Sequence, residues 1–254
     1  MTAPWSWNVH ARPFLQTAVT GSEVEPLDHM EWGVTKWEKD RPILVALYGT
    51  DNIPSRFRRN TLDWLQHVIG LHEQSGLAVH LAGPGEKGDV NVFFPLDAAV
   101  DADRFRAESQ LLTFDLVYDR GYPPDARCWE RSLVWQIGTL AVSSVTIPIE
   151  IHEEHADLRL ARCVMEELTH ALSAIRRDLP HGPDSAFVDS RVRTVDDRYF
   201  EWSTLDHLLI RIAHAPEISH GDRVGDILEK FPTVYRRELA EVTSLAMVGS
   251  QNDR

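Results

Sequence analysis

The chain has 254 residues, 43% of them hydrophobic and 26% charged, with a formal net charge of −13 at neutral pH. That is enough apolar material for the core of one large domain. The acidic balance excludes a phosphate-binding face for nucleic acid, which needs clustered lysine and arginine.

No run approaches the ~20 apolar residues of a membrane helix. The opening MTAPWSWNVHARPFLQ holds no signal-peptide core. The expectation is a cytoplasmic protein with neither nucleic acid nor membrane as partner. Residues 1–40 are interrupted by Pro4, Pro13 and Pro26 and are expected to wrap, irregular, onto the body through their tryptophans. RPILVALYG at 41–49 is a continuous apolar run that ends on glycine, so it reads as a buried strand. SRFRRNTLDWLQHVIGLHEQSG follows with Phe57, Leu62, Leu65, Val68, Ile69 and Leu71 at helical spacing, and Gly76 closes it. LAVHLAG (77–83) and VNVFFPL (90–96) read as strands. The GPGEKGD between them is a plain turn, because no Gly-Lys-Ser/Thr follows and no helix opens there.

DAAVDADRFRAESQLL has helical character, and GYPPDARCWE reads as a loop. SLVWQIGTLAVSSVTIPIE (132–150) is rich in Val, Ile and Thr and reads as two strands or one bent one, with Pro148 at an edge or a strand end. HADLRLARCVMEELTHALSAIRRD (155–178) has no internal Gly or Pro, and Pro180 and Gly182 stop it. STLDHLLIRIAHAPEI starts with a capping Ser203 or Thr204 and ends at Pro216, and one or two helices complete the chain. The two cysteines, Cys128 and Cys163, make neither a disulfide framework nor a cysteine-rich zinc site. Cys163, inside a helical pattern, is expected to be a small buried residue. The plan is α+β in a single domain over 1–254: an irregular wrap (1–40), a mixed-sheet half (41–154), then a long motif helix and C-terminal helices (155–254).

EELTHAL, at 166–172, is the stretch with chemistry in it. On a helix residues i and i+4 project together, so Glu166 and His170 can share one divalent ion. Glu167 lies about 100° round from Glu166, in the slot where a zinc peptidase places its general base. A second reading fits the same spacing. Leu160, Val164, Met165, Leu168, Leu172 and Ile175 define an apolar face, and Glu166 and His170 point roughly 160° from its centre. Arg159, Arg162, Arg176 and Arg177 share their side, and Arg162 and Glu166 form an i,i+4 ion pair on what would be a solvated face.

VMEELTHALSAIRRD resembles the active-site helix of zincin metallopeptidases and the metzincin-like pattern His-Glu-x-x-His-x-x-Gly-x-x-His. It is more similar to an uncharacterised bacterial family with a Glu-Glu-Leu-Thr-Gln-x-Leu-Gly helix, then an Asp, a Phe-x-Asp-Ser segment and a Thr-x-x-Asp-x-x-Leu-x-x-Leu helix. Here Asp178, FVDS at 187–190 and STLDHLLIRIAHAPEI at 203–218 stand in that order. The resemblance implies a zincin-like fold and a divalent metal, zinc first. Its ligands would be Glu166, His170 and a third from Asp178 and His181, with Glu201 and Asp206 as further possibilities. Glu167 would be the catalytic base. The sequence departs from the pattern where Glu166 replaces the first histidine, Ser173 replaces the turning glycine and Arg176 fills the third-ligand slot, unable to bind a cation. An anionic first ligand also suits a harder ion.

The function expected is a metal-dependent hydrolase acting on a peptide or small amide-containing substrate. The alternatives are a non-proteolytic enzyme using Glu166 and Glu167 as an acid–base pair, or an inactive zincin-like binding module. His152, Glu153, Glu154 and His155 read as a helix-start cluster favoured by the helix dipole. His207 and His214, seven apart, read as structural, and no Gly-x-Ser-x-Gly elbow is present.

Overall fold

The computed structural model describes residues 14, 34, 36–37, 40–83, 85–96, 98–109, 128–135, 139–149, 156–173 and 202–252. The elements run β1 (Ile43–Tyr48), α1 (Ser55–Gln74), β2 (Val79–Leu81), β3 (Val90–Phe93), α2 (Ala98–Ser109), β4 (Trp129–Trp135), β5 (Thr139–Thr146), α3 (Ala156–Leu172), α4 (Thr204–His214) and α5 (Val224–Asn252). Two compact units form: Trp37–Trp135 with Leu140–Leu172, and Met1–Lys36 with Gln136–Thr139 and Ser173–Arg254.

In the first unit the sheet order is β2-β1-β3-β5-β4. β1 runs parallel to β2, with Val45 opposite Leu81, and to β3, with Val45 opposite Val90. β3 runs parallel to β5, with Val92 opposite Val145. Only residues 136–138 separate β4 from β5, and a parallel crossover needs a dozen or more residues. β4 therefore runs antiparallel at the edge, and the sheet is mixed. All four residues of β3 are buried, as expected of a central parallel strand covered on both faces.

β4 corrects the sequence expectation. It begins at Trp129, inside a stretch that composition assigns to a loop. Glu130 is held across the strand pair, where the Ser143 hydroxyl donates to its Oε1 at 2.6 Å, and within β4, where Ser132 donates to the same oxygen. Strand propensity scales undervalue such a strand because its stability lies in cross-strand partners.

α1 buries Thr61, Leu65, Val68, Ile69 and His72 along one stripe and packs on α3. Between β1 and α1 the chain turns at Gly49, whose φ is +72°. A Cβ there would lie 2.7 Å from the Phe105 ring and 2.8 Å from the Phe94 carbonyl oxygen. Both the backbone angle and the packing require glycine.

The second unit is built from α4 and α5. Ser203 caps α4: its side chain accepts from the Asp206 amide at 3.1 Å, and the Asp206 carboxylate accepts from the Ser203 amide at 2.9 Å. The Lys36 ammonium closes the other end, donating to the carbonyls of Ala215 (2.8 Å) and Ile218 (2.9 Å). α5 is a single helix that passes through Pro232. A proline inside a helix costs ~3 kcal/mol. The buried stripe Ile227, Phe231, Val234, Tyr235 and Val242 stays in phase across it, which offsets that cost. Of the expected N-terminal wrap, Phe14 and Val34 are fully buried, and the Phe14 ring packs on Phe231. Among the described residues no helix is long and apolar enough to cross a membrane.

Candidate functional site

The motif lies on α3, as the spacing predicts, but the helix is shorter than the expected 155–178. It ends at Leu172, and Ser173 is already in a bend. The Trp37 indole Nε1 donates to the Ala171 carbonyl at 2.9 Å, satisfying one of the last-turn acceptors of α3. Serine at 173 adds a side chain that bonds locally to backbone and weakens helix continuation. The metzincin-like pattern has its turning glycine at this same position.

α3 is enclosed on nearly every side. Leu160, Val164, Met165, Leu168 and Leu172 are at most 3% exposed, as the apolar face requires. The opposite side is buried too: Glu166 is 7% and His170 8% exposed, with Thr169 and Ala171 at zero. Glu167 is half-buried. The Arg162–Glu166 pair is present, with Nε 3.7 Å from Oε2, but the side chains are 21% and 9% exposed. The ion pair of the solvated-face reading exists, and its solvent does not.

The other candidates sort as follows. Asp178, His181 and Glu201, with His152, Glu153, Glu154 and His155, lie outside the described residues, as do Ile175, Arg176 and Arg177. Asp206 is the carboxylate of the α4 capping box, engaged as a helix-start residue. His207 sits edge-on to Trp202, with ring centroids 5.3 Å apart. His214 is half-buried, and its Nδ1 is shut off from solvent. Burial, then the Lys36 ammonium, lowers its pKa to about 3. Among the described residues neither histidine belongs to a metal-holding group. The GPGEKGD turn is closed by the Glu86 carboxylate, which accepts from the Gly83 amide at 2.7 Å.

For a divalent ion, the described residues supply a carboxylate and an imidazole at i,i+4 on one buried face, a chemically suitable pair of donors. Among the described residues no third donor joins them in a metal-holding group.

Two features escaped the sequence reading. Cys128 and Cys163 form a disulfide, with Cα atoms 5.9 Å apart, where the sequence reading took Cys163 only as a small buried residue. The buried part of that expectation stands, at 3% exposure. The only signal available was that the chain has an even, minimal pair of cysteines. The second feature is Trp37 as the external cap of α3, for which a single tryptophan 134 positions upstream gives no local signal.

No curated protein and no solved structure matches the chain. A family model does, from residue 11 to residue 233, most of the length, and on that match the chain belongs to DUF2927, described as a protein of unknown function.

Proposed function

We propose that the chain is a metal-dependent hydrolase of zincin type acting on a peptide or amide bond, with Glu166 and His170 as ligands and Glu167 as general base. The observation that carries the reading is the burial of Glu166 and His170, at 7% and 8% exposure, on a helix that packs against α1 and β4. Buried ionisable groups cost free energy unless paired or coordinating, and perturbed environments of this kind concentrate at functional sites. Two further features support it. The strand–helix–strand–strand order ahead of the motif helix is that of a zincin N-terminal half. The described helix also ends where the metzincin-like pattern turns, and Asp178 and His181, the candidates for the third ligand, follow in sequence.

A divalent ion held there, zinc first, supplies polarisation of the scissile carbonyl and acidifies water. Glu166 and His170 hold their side chains one above the other on the helix, so the donor geometry is set by the backbone. Glu167, half-buried and about 100° round the helix, takes the proton of the attacking water and returns it to the leaving amine.

The Arg162 guanidinium beside Glu166 supports two alternatives. A cation already at that carboxylate offsets its burial without a metal, which leaves Glu166 and Glu167 as an acid–base pair for a non-proteolytic reaction, or the helix as an inactive binding module. Titration of chelator-stripped protein with zinc separates these. The wild type and Glu167→Gln should each take one ion, with hydrolysis of a peptide library kept only in the wild type, and His170→Ala should take none. Equal uptake by His170→Ala would remove the ligand assignment. No uptake by the wild type would leave the metal-free reading.

A further inference from the structure

We infer that the Cys128–Cys163 bond is a permanent staple of the working protein, formed by maturation in an oxidising compartment, and that it fixes the turn of α3 carrying Glu166 and Glu167. The inference does not rest on the metal-dependent reading, because it concerns how the helix is held.

The two cysteines are the only ones in the chain, and they find each other across 35 residues. Their Cα separation of 5.9 Å is that of an unforced disulfide. The bond ties the residue just before β4 to the middle of α3, two elements that also pack together. Cys163 stands three and four residues before Glu166 and Glu167, one helical turn, so the bond anchors the face beside the motif. Thiol-reducing compartments keep such pairs open, and oxidising ones close them.

The surroundings distinguish a staple from a cycling switch. Cys163 is 3% exposed, between the fully enclosed Leu160 and Val164, while Cys128 is only half-buried. A dithiol reductant therefore reaches Cys128 first. Its thiolate attacks Cys128 Sγ, a mixed disulfide forms, the original S–S bond breaks, and its electron pair leaves on Cys163 Sγ, which takes a proton. The second thiol of the reductant then displaces Cys128, and the reductant ends as its own disulfide. The leaving group is a thiolate expelled into apolar packing, where the charge is poorly solvated, so it leaves slowly. The bond thus resists reduction until the helix loosens.

The test uses the full chain, produced once with export to an oxidising compartment and once retained in a reducing cytosol, with thiols trapped by alkylation before lysis. The exported protein should show no alkylated cysteine, hold its bond in excess dithiothreitol while native, and release two thiols only after denaturation. Cys128→Ser with Cys163→Ala should melt roughly 5–15 °C lower and exchange amide hydrogens faster across 156–172. If that variant does not fold, wild type reduced under mild denaturant and returned to buffer gives the same exchange comparison. Two alkylated thiols in the exported native protein, or melting and exchange unchanged without the bond, would overturn the inference. Rapid reduction of the folded protein would show a switch in place of a staple.

Discussion

A carboxylate at 7% exposure with a guanidinium nitrogen 3.7 Å away is held differently from the same pair on a wet surface. Exposed i,i+4 pairs contribute about 0.3–0.5 kcal/mol, whereas removing one partner of a buried pair strands a charge. That difference was not legible in the sequence. Periodicity places Glu166, His170 and Arg162 on one side of a helix, but it cannot say whether that side meets water or the rest of the protein. His214 shows the same limit and gives a test in the second unit. Its pKa is lowered to about 3 by burial and by Lys36, below the ordinary value of 6.5. The unfolded chain therefore binds a proton that the folded one does not, and stability present above pH 6.5 is lost as pH falls towards 3. His214→Gln should flatten the decline of melting temperature over that window. Parallel curves for wild type and variant would show that the histidine takes no part.

At the scale of the element, α3 was legible in kind and imprecise in length. Its residues favour a helix throughout 155–178, and the five described residues of the expected apolar face, Leu160 to Leu172, are buried. Its last turn is capped by the Trp37 indole, a tertiary partner that no local pattern contains. The capped start of α4 at Ser203 was legible because a capping box is a local device. β4 was legible from Ser132 on, as part of the expected strand pair, but its start at Trp129 was not, since Glu130 is held by Ser143 of the neighbouring strand. Leu168 and Leu172, both fully buried, test the packing of α3. Leu→Ala at either should destabilise by about 2–5 kcal/mol in denaturant unfolding. Changes within error at both sites would mean that α3 is not held by that face.

For the whole molecule, hydrophobic runs were enough to indicate an α+β chain with strands at the positions of β1, β2 and β3; the central β3, buried on both faces, writes itself as continuous apolar sequence. The disulfide was not legible, because two cysteines fix neither a pairing nor a compartment. It changes the setting in which the motif helix is understood, from a free cytoplasmic chain to one covalently braced beside Glu166 and Glu167. The central claim is that this braced, buried helix binds a divalent ion through Glu166 and His170. Elemental analysis of the full-length protein, purified without chelator, tests it most directly. The account predicts close to one equivalent of a divalent metal, lost in His170→Ala and kept in Glu167→Gln, and less than about a tenth of an equivalent in the wild type would contradict it.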